Sequence, residues 1–207
     1  MESTIYIFGL LGVAVFALSG ALAAAEKRLD ILGFILFGTV TGIGGGTARD
    51  LLLDADPIFW VADTRYLWAC FGASVLAWFA AGTVTSMHRA LLWADALGLA
   101  LFSVLGTQKA LQFGAPPIVA IVMGMMTASF GSLIRDLLLG RPPVLLEPDI
   151  YVTAALLGAS CFSALTWLQL PEVTAMLSAM AAAFLLRALA IVLDLRLPKY
   201  RARGDTE

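Results

Sequence analysis

Ala48-Arg49-Asp50-Leu51-Leu52-Leu53 recurs in this chain as Ile134-Arg135-Asp136-Leu137-Leu138-Leu139, 86 residues later. Held at that offset without gaps, Gly12 meets Gly98, Phe16 meets Phe102, Gly20 meets Gly106 and Ala24 meets Ala110. Gly45 then meets Gly131, Pro57 meets Pro143, Asp63 meets Asp149 and Gly72 meets Gly158. In a chain this rich in Ala and Leu, chance aligns some alanines and leucines. It rarely aligns four glycine pairs with Arg-Asp, Pro and Phe in one register. Residues 1–86 and 87–172 therefore read as two copies of one unit.

The stretches around the repeated hexapeptide are long and apolar. A helix crossing the hydrocarbon core needs about 20 mostly apolar residues. That ruler gives seven candidates: 4–25, 31–53, 66–86, 91–111, 117–139, 150–170 and 173–193. Three fall in each copy. An odd number of spans forces the second copy to enter the membrane from the opposite side, which is an inverted-topology repeat. The seventh span, 173–195, stands outside the repeat, followed by a basic tail at 196–207. The fold class that follows is an all-α membrane protein of seven transmembrane helices, two inverted three-helix repeats plus one.

Composition excludes the alternatives. Hydrophobic residues make up 60% of the 207 residues and charged residues 14%, against about 25% charged in soluble domains. Mean hydropathy is +0.91. A soluble globule could not cover such a core with so little charge. A net charge of -2 excludes a nucleic-acid partner, which needs a basic face. Cys70 and Cys161 form no metal or disulfide framework, and the lone His88 builds no triad. Without a nucleophile–base set, phosphate loop or metal cluster, the chain does not read as an enzyme, and it calls for no cofactor. The first span ends in small residues, but the preceding Met-Glu-Ser-Thr lacks a positive charge and the apolar run is too long for a signal peptide.

Lys and Arg favour the cytoplasmic side of a membrane. Lys27, Arg28, Arg89, Arg141, Arg196, Lys199, Arg201 and Arg203 collect on one side, and Arg65 alone on the other. The N-terminus is then expected outside and the C-terminal tail in the cytoplasm.

The second span holds Gly44-Gly45-Gly46-Thr47-Ala48-Arg49-Asp50, and the fifth holds Gly131-Ser132-Leu133-Ile134-Arg135-Asp136. Each Gly costs about 1 kcal/mol relative to Ala in a helix interior. These runs therefore predict kinks or breaks at Gly44, Gly45 and Gly46 and at Gly131 and Ser132. Interrupted helices at corresponding places in two inverted halves point to a membrane site. Carbonyls freed by a break suit a monovalent cation. The candidates lie near Val40–Ile43 and near Thr127, Ala128 and Ser129, with hydroxyls from Thr41, Thr47, Thr127, Ser129 and Ser132. The other reading of the glycines is close helix packing.

Charges inside a span are costly and face the interior, water or each other. Arg49, Asp50, Arg135 and Asp136 read either as ion bridges bracing the helices or as parts of a gate, on opposite sides of the midplane. Lys109 and Asp95 lie about 21 Å apart along the fourth span and cannot pair. Lys109 either snorkels or tunes the potential of an ion path. Asp95 reads as an interfacial carboxylate.

With its Gly-Gly-Gly-Thr-Ala-Arg-Asp at 44–50, the weaker echo at 131–136 and the 3+3+1 arrangement, the sequence resembles the prokaryotic TRIC (trimeric intracellular cation) channels over nearly its whole length. The resemblance implies a homotrimer in the prokaryotic inner membrane with one pore per protomer. That pore would be lined by kinked second and fifth helices and would conduct monovalent cations, K+ in preference to Na+. Relatives of this kind have also carried the label of glycine transporters. A carrier of a small amino acid is thus the competing expectation, with half-helix amides and Arg49 or Arg135 receiving a substrate carboxylate.

Overall fold

The computed structural model describes residues 2–83, 86–146 and 150–197. Asp149 of the repeat register and the tail residues Lys199, Arg201 and Arg203 lie outside them. Eight α-helices occur among the described residues: α1 Glu2–Glu26, α2 Ile31–Leu52, α3 Phe59–Ala62, α4 Arg65–Ala80, α5 Met87–Gln112, α6 Pro117–Leu138, α7 Val152–Trp167 and α8 Glu172–Leu193. Five of them, α1, α2, α5, α6 and α8, are long and apolar enough to cross a membrane. Each of α4 and α7 is a 16-residue helix, rising about 24 Å, and both are shorter than the 66–86 and 150–170 read from hydropathy. A 3-10 turn, Ala81–Thr83, extends α4.

Local chemistry sets the boundaries. Asp30 caps α2 by accepting from the Gly33 amide at 2.8 Å, which satisfies one of the orphan donors of the first turn. Pro117 opens α6, where its missing N–H costs nothing. The ends of α2 and α6 are built alike. Leu53 and Leu139 donate to the carbonyls of Arg49 and Arg135, and Ala55 and Arg141 donate to those of Asp50 and Asp136. Between them, Asp54 (φ 52°) and Gly140 (φ 63°) take the left-handed conformation that closes a helix C-terminus.

Helices α1, α2, α5 and α6 form the centre, with α4 against α1 and α2, and α7 and α8 against α5. The same contact is made twice across this centre, displaced by 86 residues. Gly12 faces Phe102 and Gly98 faces Phe16, and the two rings stack at 5.3 Å. Gly20 faces Thr41 and Gly106 faces Thr127. A Cβ on Gly45 would fall on the carbonyl oxygen of Thr127, and one on Gly131 on that of Thr41.

The expected breaks are absent. Both α2 and α6 stay α-helical through Gly44, Gly45 and Gly46 and through Gly131 and Ser132. The carbonyls near Thr127, Ala128 and Ser129 therefore remain inside an unbroken helix and are not freed for an ion. Close approach is the physical reason for the glycines: α2 and α6 cross with backbone against backbone, and the packing offsets the helix-propensity cost.

Candidate functional site

Two buried charge clusters lie at the ends of α2 and α6. In the first, Asp50 is fully buried. Its Oδ1 accepts from Arg49 Nε at 2.9 Å and Nη2 at 2.7 Å, and Lys109 Nζ sits 2.8 Å from the same oxygen. Oδ2 accepts from the Phe59 amide at 2.9 Å, which ties the one-turn helix α3 over the end of α2. The Arg49 guanidinium and the Lys109 ammonium both lie over the Phe59 ring, at 5.7 and 6.0 Å from its centroid. Trp60 adds a bond from its indole N–H to Thr47 Oγ1 at 2.9 Å. Outside the helices, Asp63 is held below the usual carboxylate range by the hydrogen bonds it accepts from Arg65.

In the second cluster Arg135 is wholly buried. It donates to Asp136 at 2.8 Å, to Asp95 at 2.9 Å and to Ser19 at 2.6 Å. Arg141 donates to the same Oδ1 of Asp136 at 2.8 Å and to Glu26 at 2.8 Å, and the Val144 amide reaches Oδ2. A buried charge is tolerated when it is paired and hydrogen-bonded, and every charge here meets that condition. The two clusters touch α5 at Lys109 and at Asp95, about 21 Å apart along its axis. They therefore occupy opposite ends of the bundle.

The interfacial reading of Asp95 is corrected: it is only 3% exposed and is bound to Arg135. Lys109 does not snorkel freely but pairs with Asp50. The candidate hydroxyls are largely occupied within their own helices. Thr41 donates to the Phe37 carbonyl, Thr127 to Met123 and Ser129 to Met125. Ser132 bonds the Ser129 carbonyl and lies 2.8 Å from the buried Tyr151 hydroxyl. Tyr151, Ser19 and Glu26 carried no signal in the sequence, since their roles come from contacts between distant helices.

Beside the first cluster lies a cavity of about 150 Å³. Its walls include Arg49, Lys109, Gln108 and Gln112 on one side and Phe59, Tyr66 and Phe102 on the other. Gln108 is held from behind by Glu172 of α8, which accepts from its amide at 2.8 Å. The cavity thus places two cationic side chains and two amides beside aromatic and aliphatic walls.

The model of the family described as "Glycine transporter" matches residues 6–82 and 92–167. The crystal structure of the TRIC orthologue from Rhodobacter sphaeroides superposes with a TM-score of 0.91 at 48% identity, covering 93% of this chain and 100% of that one. The chain belongs to the prokaryotic TRIC channel family. A second prokaryotic TRIC channel, solved in 0.5 M KCl, superposes with a TM-score of 0.89 at 29% identity over 95% of this chain and 100% of its own. The Escherichia coli inner membrane protein YadS is 36% identical over 95% of this TRIC-family chain and 96% of its own length. A Vibrio cholerae membrane protein is 36% identical over 96% and 83%.

Proposed function

We propose that this TRIC-family protein is a channel for monovalent cations, potassium in preference to sodium, in the prokaryotic inner membrane. It acts as a homotrimer with one pathway inside each protomer. Its close likeness to solved TRIC cation channels carries this reading. The five long helices cross the bilayer, and the shorter α4 and α7 cross it with them. Helices α1, α2 and α4 form one triplet and α5, α6 and α7 its inverted copy, with α8 added. The exchange of contacts between positions 86 apart supports that arrangement. The N-terminus faces outward and the tail inward, following the distribution of Lys and Arg.

On this reading the pathway starts at the cavity beside Arg49 and Lys109. It narrows where Gly45 meets Thr127 and Gly131 meets Thr41, and it is shut at the far end by Arg135 with Asp95 and Asp136. Opening requires α2 and α6 to part at a crossing held by backbone contact. Gly44, Gly45, Gly46, Gly131 and Ser132 then act as a hinge in continuous helices, and Thr41, Thr127 and Ser129 line the parted seam.

The description attached to the family model favours one second reading, a carrier of glycine. Single-channel recording of purified protein in bilayers with a potassium gradient separates the two. Discrete openings are expected; saturable glycine exchange without current would replace the channel with the carrier.

A further inference from the structure

The two charge clusters differ in balance. In the second, the two cations Arg135 and Arg141 face three carboxylates, Asp95, Asp136 and Glu26. In the first, Arg49 and Lys109 share the single carboxylate of Asp50. Asp50 is fully buried behind them and is absent from the cavity wall, whereas both cations are on it. Arg49 Nη2 and Lys109 Nζ lie 2.7 and 2.8 Å from the same oxygen, so the two nitrogens are at most 5.5 Å apart. Asp50 is engaged on both oxygens, by Arg49, Lys109 and the Phe59 amide. Gln108 and Gln112 complete the polar wall. No carboxylate of the described residues lines this cavity.

We infer that the cavity between Arg49, Lys109 and Phe59 is a binding site for a small monovalent anion, a halide or a short carboxylate. One buried carboxylate facing two cations leaves an excess positive charge in a chamber with apolar walls. A poorly solvated site strengthens its attraction for an anion. Guanidinium and ammonium groups form charge-assisted bonds with such anions, and about 150 Å³ accommodates a halide or acetate. The anion offsets the cationic excess of the first cluster, whereas in the second the carboxylates outnumber the cations. The site stands on this geometry and does not depend on the conduction reading.

The test reads binding alone. Crystals of the full-length protein soaked in bromide should give an anomalous peak between Arg49 and Lys109. In parallel, the chloride-35 NMR line of detergent-purified protein should broaden saturably. Lys109→Gln should weaken that binding at least tenfold. Asp50→Asn, which removes the competing carboxylate, should strengthen it, a sign that a purely structural role for either residue would not produce. If Asp50→Asn does not fold, the bromide peak and Lys109→Gln decide the matter. Acetate that displaces the bromide identifies a carboxylate site, and bromide retained against acetate identifies a halide site. No bromide at the cavity together with no saturable broadening would overturn the inference, whatever the electrical recordings give.

Discussion

Arg135 is the residue on which most of the buried polar structure converges. It is wholly buried and binds Asp136, Asp95 and Ser19. Removing one partner of a buried ion pair leaves its counter-charge stranded, at a cost of about 3–5 kcal/mol. Arg135→Ala leaves Asp95 facing the neutral Ser19 hydroxyl in place of a cation, while Asp136 keeps Arg141. Its thermal unfolding midpoint in detergent should fall well below that of Arg141→Ala, because Arg141 is partly exposed. Equal midpoints would remove Arg135 from the centre of this network. Tyr151→Phe removes a buried hydroxyl from its contact with Ser132 and should cost about 1 kcal/mol, read in the same melts. The pairing of Arg49 with Asp50 and of Arg135 with Asp136 was legible in the sequence as one of two readings. The third partners, Lys109 and Asp95, were not, because hydropathy places a charge along a helix but does not give the neighbour it faces.

The elements are governed by where glycine touches backbone. A Cβ at Gly45 or Gly131 would meet a main-chain carbonyl of the opposite helix, which cannot rotate away. Overpacking of this kind costs about 1–3 kcal/mol. Gly45→Ala and Gly131→Ala should each lower the melting temperature and slow or abolish potassium flux from loaded vesicles. Gly44 differs: an added Cβ would lie 3.3 Å from the flexible tip of Ile134, and Gly44→Ala should lower the melting temperature less than either. Gly72 of α4 faces nothing within 4 Å, so Gly72→Ala should be neutral or stabilise by up to about 1 kcal/mol through helix propensity. Its counterpart at the offset of 86, Gly158, is pressed by Ser103 of α5 and Ala183 of α8. Identical glycines in register thus have opposite sensitivities, set by the side chains that neighbouring helices bring against them.

The whole molecule is a membrane protein with its two buried ion-pair clusters at opposite ends of the bundle. The predictions at this scale concern assembly and sidedness. Light scattering should give a protein mass three times 21.9 kDa; a monomer mass would refute the homotrimer. A cysteine introduced at Arg65 should react with an impermeant reagent in intact cells, and one at Arg89 only after the cells are opened. The reverse pattern would invert the topology.

The sequence by itself determined the membrane class, the helical spans to within a few residues and the Arg-Asp pairs. Each of these follows from composition or from regular spacing along one chain. Tertiary structure decided that the glycine runs are crossings in unbroken helices rather than breaks. It also decided that Asp95 is buried and that Lys109 joins Arg49 on Asp50. The physical reason is that a helix with several glycines is equally compatible with a break and with close packing. The choice rests on whether another backbone arrives to occupy the space, and that contact joins residues far apart in the chain.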